Sequence, residues 1–320
     1  MTPERICSLM PSATEIVCAL GLADRLVAVT HECDFPAEAL VKPKVTSNAF
    51  DSSSMTGQEI DSAVRASLAD AATIYHLDSD LLQHLRPDLV LTQELCEVCA
   101  VGPEEVQSVM RSLPVPPRMV SLEPTTLDEV LDSIVHVGAL AGVEDRASFL
   151  VSSLRDRVSR VRHSVEGFDR VSVLTLEWIA PVFAGGHWVP EMVQIAGGED
   201  VLGVAGRPSQ QFTWEDVLAT DPDLIVAMPC GFDLERSLLE MRQTSFPDPW
   251  YDLRAVKSGQ AYVVDGSAYF NRPGPRLIDG VEILASILHP ECGLQTPPGS
   301  WTRFISKEER TGSIAQVHLR

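Results

Sequence analysis

The sequence predicts an α/β protein built as two Rossmann-like lobes with mostly parallel sheets, joined by a long rigid helix. Three observations predict it. Short apolar runs alternate with helical patterns from the first residues, residues 126–165 are helical in pattern almost throughout, and a second alternating series opens at residue 170. The expected boundaries are an N-terminal lobe at 1–124, a connecting helical segment at 125–166, a C-terminal lobe at 167–290 and an appended tail at 291–320.

In the first lobe, residues 5–10, 26–30, 89–92 and 118–122 read as strands. Ser12-Ala13-Thr14-Glu15 permits a capping box before the helical run 16–20, and Gly21 can stop that helix. Thr56 and Glu59 offer a second capping box. The connecting segment breaks at residues 142–145, and its second part, 146–163, would span about 27 Å at the usual rise per residue. In the second lobe, strands are expected at 170–176, 224–228 and 261–264. Pro190 suits the first turn of a short helix that Gly197-Gly198 ends, Thr213 can cap another that Asp221-Pro222 ends, and residues 275–288 form the last helix. Beyond it, Pro297-Pro298-Gly299 marks a tail of weak pattern, expected to be appended or partly mobile.

Charge and composition exclude several functions. The chain of 320 residues has 25 Lys+Arg against 45 Asp+Glu, a net charge of −20, with no basic stripe, so a nucleic-acid partner is not expected. Seven cysteines, sparse and odd in number, do not suggest a disulfide scaffold. The apolar stretch at 218–228 is interrupted by Asp221 and Asp223, so no direct membrane insertion is expected. Met1-Thr2-Pro3-Glu4-Arg5 passes straight into Ile6-Cys7-Ser8-Leu9 without a leader pattern, which predicts a cytoplasmic protein, or an extracytoplasmic one if a leader has been removed.

In an open α/β layer, ligands sit beyond the carboxyl ends of the strands. In the first lobe that rule selects Pro11, His31, Glu32 and Gln93, with Glu123-Pro124 on the same edge. In the second it selects Trp178, Phe183, His187, Trp188, Phe232, Tyr269 and Phe270. This second set is rich in rings, which bury large area with little loss of side-chain freedom and suit a broad, semi-rigid ligand; each ring taken singly could equally fill a core. Trp188, beside Gly185-Gly186-His187, is the leading aromatic candidate, and His187 could meet a ligand or a metal centre that the ligand carries. The functional surface is expected in the space between the lobes.

His31, Glu32 and Cys33 follow one expected strand, and Cys96, Glu97 and Cys99 follow another. If those strands are neighbours, His31, Cys33, Cys96 and Cys99 could bind zinc or another transition metal. The alternatives are a redox pair, or simple packing and polar contacts. Enzyme motifs are missing: there is no dinucleotide fingerprint, phosphate-binding loop, HExxH segment or nucleophile elbow. Non-enzymatic binding is therefore the expected activity, with a thiol- or metal-dependent enzyme as a lesser alternative.

The first-lobe stretches Cys7-Ser8-Leu9-Met10-Pro11-Ser12-Ala13-Thr14-Glu15, Gly21-Leu22-Ala23-Asp24-Arg25-Leu26-Val27-Ala28-Val29, Asp34-Phe35-Pro36 and Leu85-Arg86-Pro87-Asp88-Leu89-Val90-Leu91 resemble the cobalamin-binding and iron-siderophore-binding proteins of ABC importers. Pro181-Val182-Phe183-Ala184-Gly185-Gly186, Gly197-Gly198-Glu199-Asp200-Val201 and Asp221-Pro222-Asp223-Leu224-Ile225-Val226 resemble their second lobe, so the likeness to this class III periplasmic-binding-protein-like family runs from about residue 5 to 290. The resemblance implies two lobes joined by a rigid helix, small closure motions, and cobalamin, a related corrinoid or another metal chelate held between the lobes. Phe183 looks like one of the family's corrin-lining aromatics, Phe50 stands roughly where another is expected, and Ser209 occupies a third such position without a ring. That departure implies a different corrinoid, another tetrapyrrole or a metal chelate. The resemblance implies as the alternative an ABC importer solute-binding receptor that delivers such a ligand to a permease, and it places Asp80 and Glu215 where family members meet basic residues of the permease, although acids at helix starts are favoured without any partner.

Overall fold

The computed structural model describes residues 2–52, 54–69, 74–93 and 103–304. The chain divides into two compact units, Met1–Arg155 with Pro273–Pro275, and Asp156–Arg272 with Arg276–Arg320. The division falls within the helix Glu144–Ser164.

In the first unit, β1 (Ile6–Ser8), β2 (Leu26–Ala28), β3 (Thr46–Asn48), β4 (Tyr75–Leu77), β5 (Leu89–Thr92) and β6 (Arg118–Ser121) follow in chain order. Four of them make a parallel sheet in the order β2-β1-β5-β6, with Ile6 opposite Leu26 on one side and Leu89 on the other. β1 and β5 are buried along their whole length, which is why they read as continuous apolar runs instead of alternating ones. Cys7, Leu9, Val90, Leu82 and Met110 share one core cluster. The antiparallel ribbon β3-β4 was not foreseen, because three residues per strand are too few to show a period of two.

Helix starts in this unit are partly as expected. Thr56 and Glu59 do form reciprocal bonds, Thr56 N–H to Glu59 Oε2 at 2.7 Å and Glu59 N–H to Thr56 Oγ1 at 3.3 Å, at the head of the helix Gly57–Ala69. Ser12 and Glu15 do not cap. The first helix runs Pro11–Ala19, with Met10 as N-cap and Pro11 in its first turn, so both residues lie inside it and are buried. Proline at this first helical position has no N–H to leave unpaired, and its fixed φ suits the start of a helix. Thr126 and Glu129 form a complete capping box on the helix Leu127–Ala141, which ends at Gly142 in the left-handed conformation, φ +68°. Gly138 in that helix packs so closely on Ala147 that an added Cβ would lie 2.4 Å from the alanine methyl.

The second unit holds β7 (Val171–Trp178), β8 (Phe183–Ala184), β9 (Gly198–Asp200), β10 (Gln210–Gln211), β11 (Leu224–Ala227), β12 (Ala261–Val264) and β13 (Trp301–Arg303). The sheet order is β10-β8-β7-β11-β12-β13, with β9 also on β7. β9, β7, β11 and β12 pair in parallel, whereas β8, β10 and β13 are antiparallel additions. The last of these lies in the stretch read from sequence as an appended tail. Trp301–Arg303 pairs with β12, Asp265 N–H donates to the Ser300 carbonyl, and Phe304 N–H donates to the Ala261 carbonyl at 2.8 Å. A three-residue strand behind a turn-rich stretch carries too little pattern to be read from sequence. Two helices of this unit are tied by charge: the half-buried Arg157 guanidinium meets Asp279 at 2.5 Å and Glu282 at 2.6 Å, linking Glu144–Ser164 to Leu277–Leu288.

Candidate functional site

In the second unit, three parallel strands end together and their loops are tied by backbone hydrogen bonds. Met228 N–H donates to Leu176 O at 2.8 Å, Cys230 N–H to Glu177 O at 3.0 Å, and Ser267 N–H to Phe232 O at 3.0 Å. This fixes the exits of β7, β11 and β12 against one another. Trp178, the last residue of β7, lies 5.2 Å from the Phe232 ring, tilted by 48°, and its indole N–H donates to the Ala180 carbonyl. Phe183 pairs opposite Trp178 from β8. The Arg236 guanidinium sits 4.5 Å over Phe232, and the Arg276 guanidinium 5.7 Å from the Tyr269 ring centroid. Trp178, Phe183 and Tyr269 are half-buried, so each keeps ring surface available.

The register of β7 against β8 shifts between Leu176 and Trp178, and Glu177, at that irregularity, accepts a hydrogen bond from the Ser209 hydroxyl. Gly186 makes this contact possible, since a Cβ at that position would come within 2.2 Å of the Ser209 nitrogen. The next residue, His187, is held at φ +49° by two backbone bonds, its N–H to Arg207 O at 2.5 Å and its carbonyl accepting from Gly206 N–H at 2.9 Å. Burial lowers the pKa of its half-buried imidazole, favouring the neutral ring. The edge thus carries an aromatic half and a polar half.

Phe232 is only 9% exposed beneath the Arg236 guanidinium, and two further sequence candidates are core residues. Trp188 is only 6% exposed, and its indole N–H donates to the Phe270 carbonyl at 2.7 Å; Phe270 itself is fully buried. The polar handle of the leading aromatic candidate is thus spent inside the protein, and neither ring offers a surface to a ligand.

In the first unit, Pro11, Phe50 and Gln93 are half-buried and Glu32 is exposed. His31 is engaged at both ring nitrogens, Nδ1 with Thr46 Oγ1 at 2.8 Å and Nε2 with Asn48 Oδ1 at 2.7 Å, and its ring lies 5.6 Å from Tyr75. The ribbon β3-β4 supplies all three partners, which sequence reasoning missed together with the ribbon. The Cys33 thiol is buried between the Thr14 and Thr30 hydroxyls, each at 3.1 Å, and burial raises its pKa. Both are poor metal ligands as they stand, because the imidazole nitrogens are occupied and the thiolate is disfavoured. Cys96 and Cys99 lie outside the described residues. Among the described residues no group of three His, Cys, Asp or Glu side chains is placed to hold a metal ion.

Asp80 and Glu215 are exposed in the first turns of the helices Ser79–Leu85 and Trp214–Thr220. Neither provides the cap: Asp78 accepts from Leu81 N–H in one helix, and Thr213 with Asp216 forms the capping box of the other. Among the described residues no helix is long and apolar enough to cross a membrane.

Comparison with known proteins agrees with this architecture. Residues 6–268 match the family described as "Periplasmic binding protein". The chain is 25% identical over 288 residues to a vitamin B12-binding protein of Vibrio cholerae, covering 89% of each, and 27% identical over 297 residues to an ABC transporter substrate-binding lipoprotein of Bacillus subtilis, covering 90% of this chain and 81% of that one. A periplasmic heme-binding protein of Pseudomonas aeruginosa shares the fold with a TM-score of 0.70 at 19% identity, over 95% of this chain and 99% of that one. The family match overturns the cytoplasmic placement expected from the amino terminus, because these are periplasmic proteins. It also supplies the ground for reading the chain as a binder and not an enzyme. With most of its length matched, the chain belongs to the periplasmic binding protein family.

Proposed function

We propose that the protein binds cobalamin, a related corrinoid or another metal chelate of similar breadth, and hands it to an ABC permease. The observation that carries this reading is the half-buried pair Trp178 and Phe183 where β7 ends, with Trp178 packed on the buried Phe232 ring beneath Arg236. Flat side chains fixed where the parallel strands end form a surface suited to a flat macrocycle. Similarity to vitamin B12-binding proteins and to a substrate-binding lipoprotein supports the ligand class and the partner. His187, with a neutral imidazole favoured, and Tyr269 are the further ligand contacts of this unit. Capture by such a surface needs complementarity alone, with no proton transfer or covalent step.

The test is a titration of the purified protein with cyanocobalamin, dicyanocobinamide and hemin, followed by absorbance and tryptophan fluorescence. Saturable binding of at least one, weakened about tenfold or more by Trp178→Ala through loss of stacking area, is the expected result. Absence of saturable binding for all three would remove this reading.

A further inference from the structure

We infer that a cavity in the first unit, between β6 and the helix Pro103–Ser112, is a binding site of its own, for a small amphipathic carboxylate with a neutral hydrogen-bonding group at its far end. The proposed chelate surface belongs to the second unit, so this site does not depend on it.

Strand register builds the cavity. Val90 pairs with Met119 and Thr92 with Ser121 along the parallel strands β5 and β6. Residues two apart on a strand share a face, so these four side chains lie on one side of the sheet. Val90 packs with Val106 and Met110 of the helix Pro103–Ser112, and Met119 packs against the same cluster, which identifies that side as the one the helix covers. β6 is the last strand of its sheet. A cavity of about 420 Å³ remains between it and the helix, with Thr92, Met110, Met119, Ser121, Gln107 and Arg111 in its lining.

Two lining groups point to the ligand. Thr92 is 2% exposed, and its hydroxyl has no hydrogen-bond partner among the described residues. A buried hydroxyl left unpaired is unfavourable, and one that lines a cavity can be satisfied by an occupant. The neighbouring Ser121 hydroxyl is directed to Glu123 instead. The second group is Arg111, exposed in the last turn of the helix, which donates to Gln107 Oε1 at 2.7 Å. A guanidinium has five N–H donors and this bond uses one, leaving a fork that matches a carboxylate.

The two groups stand at opposite ends. Thr92 and Ser121 end their strands, whereas Arg111 lies toward the start of β6, because a crossover helix runs back along the sheet between parallel strands. Three residue steps of β6 span about 10 Å. Between the ends lie Met110 and Met119, unbranched side chains that adapt to an apolar body. The cavity therefore suits a molecule of that length, charged at one end, apolar along its middle and hydroxylated at the other.

The probe is para-hydroxyphenylpropanoate, compared with phenylpropanoate, which lacks the hydroxyl, and para-ethylphenol, which lacks the carboxylate, each titrated calorimetrically into the whole chain. Saturable binding with a Kd of about 1 mM or tighter is expected, weakened about fivefold when the hydroxyl is missing. Thr92→Val should remove that fivefold difference and leave phenylpropanoate within about twofold, whereas Thr92→Ser should retain it. Arg111→Gln should weaken both carboxylates about tenfold and leave para-ethylphenol as it was. Thermal melts report folding, and the exposed Arg111 decides the matter even where Thr92→Val does not fold. No saturable binding of the probe, a hydroxyl preference that survives Thr92→Val, or carboxylate affinity untouched by Arg111→Gln would each overturn the inference. Loss of probe binding in Trp178→Ala would place the probe on the aromatic surface of the second unit and overturn it as well, while the corrinoid and hemin titrations test that surface separately.

Discussion

At the scale of single residues, what decides a side chain's role is where its polar atoms are spent. Trp188 and Trp178 are ten positions apart; Trp178 ends β7, and Trp188 follows the short antiparallel strand β8. Trp188 gives its indole N–H to the Phe270 carbonyl inside the protein, while Trp178 gives its own to Ala180 and keeps its ring half open. Replacing Trp188 by Phe leaves the buried Phe270 carbonyl without that donor and should cost about 1–3 kcal/mol of stability. Thermal or urea unfolding of the variant would show this, and an unchanged midpoint would mean the bond contributes nothing. His187 was legible as a loop residue after a glycine pair, but its neutral character is a tertiary effect: burial, and no neighbouring charge in the sequence, lowers its pKa. Likewise Cys33 looked like a ligand from its place beside His31. Only the fold shows the Thr14 hydroxyl, 19 residues away, resting on its sulfur.

At the scale of elements, long patterned segments were readable and short ones were not. The parallel strands β1, β5 and β11 announce themselves as apolar runs because both of their faces are covered. The helix Leu127–Ala141 announces itself by its capping box and its terminal glycine. The ribbon β3-β4 and the strand β13 have three residues each, and pairing alone makes them strands. β13 covers the edge of β12, and Arg303 reaches the Gly259 carbonyl while Trp301 packs edge-on to Tyr262. Deleting residues 294–320 should therefore expose an unpaired edge and withdraw Trp301 and Phe304. The expected result is a loss of about 2 kcal/mol or more, with concentration-dependent self-association in light scattering. A truncated chain that stays monomeric with an unchanged melting temperature would show that the edge needs no cover.

At the scale of the whole molecule, Asp80 in one unit and Glu215 in the other are exposed acids that no capping duty explains. Asp80 and Glu215 stand in helices whose first turns are already satisfied by Asp78 and by Thr213 with Asp216. Reversing both charges, Asp80→Lys with Glu215→Lys, should leave ligand affinity within about twofold while reducing permease-dependent uptake about tenfold or more, since rim charges govern encounter and register more than the binding of a separate ligand. Uptake by reconstituted vesicles measures it, and unimpaired uptake would dismiss these acids as docking points. The sequence by itself determined the α/β class, the two strand-rich series, the helical segment between them and the family resemblance, because apolar periodicity, caps and glycine stops act over a few neighbouring residues. Tertiary structure decided which rings remain open, which thiols are packed, and that Glu177 and Ser209 meet across 32 positions of chain. Those outcomes depend on strands and loops distant in sequence arriving at one sheet edge, and no local pattern encodes that arrival.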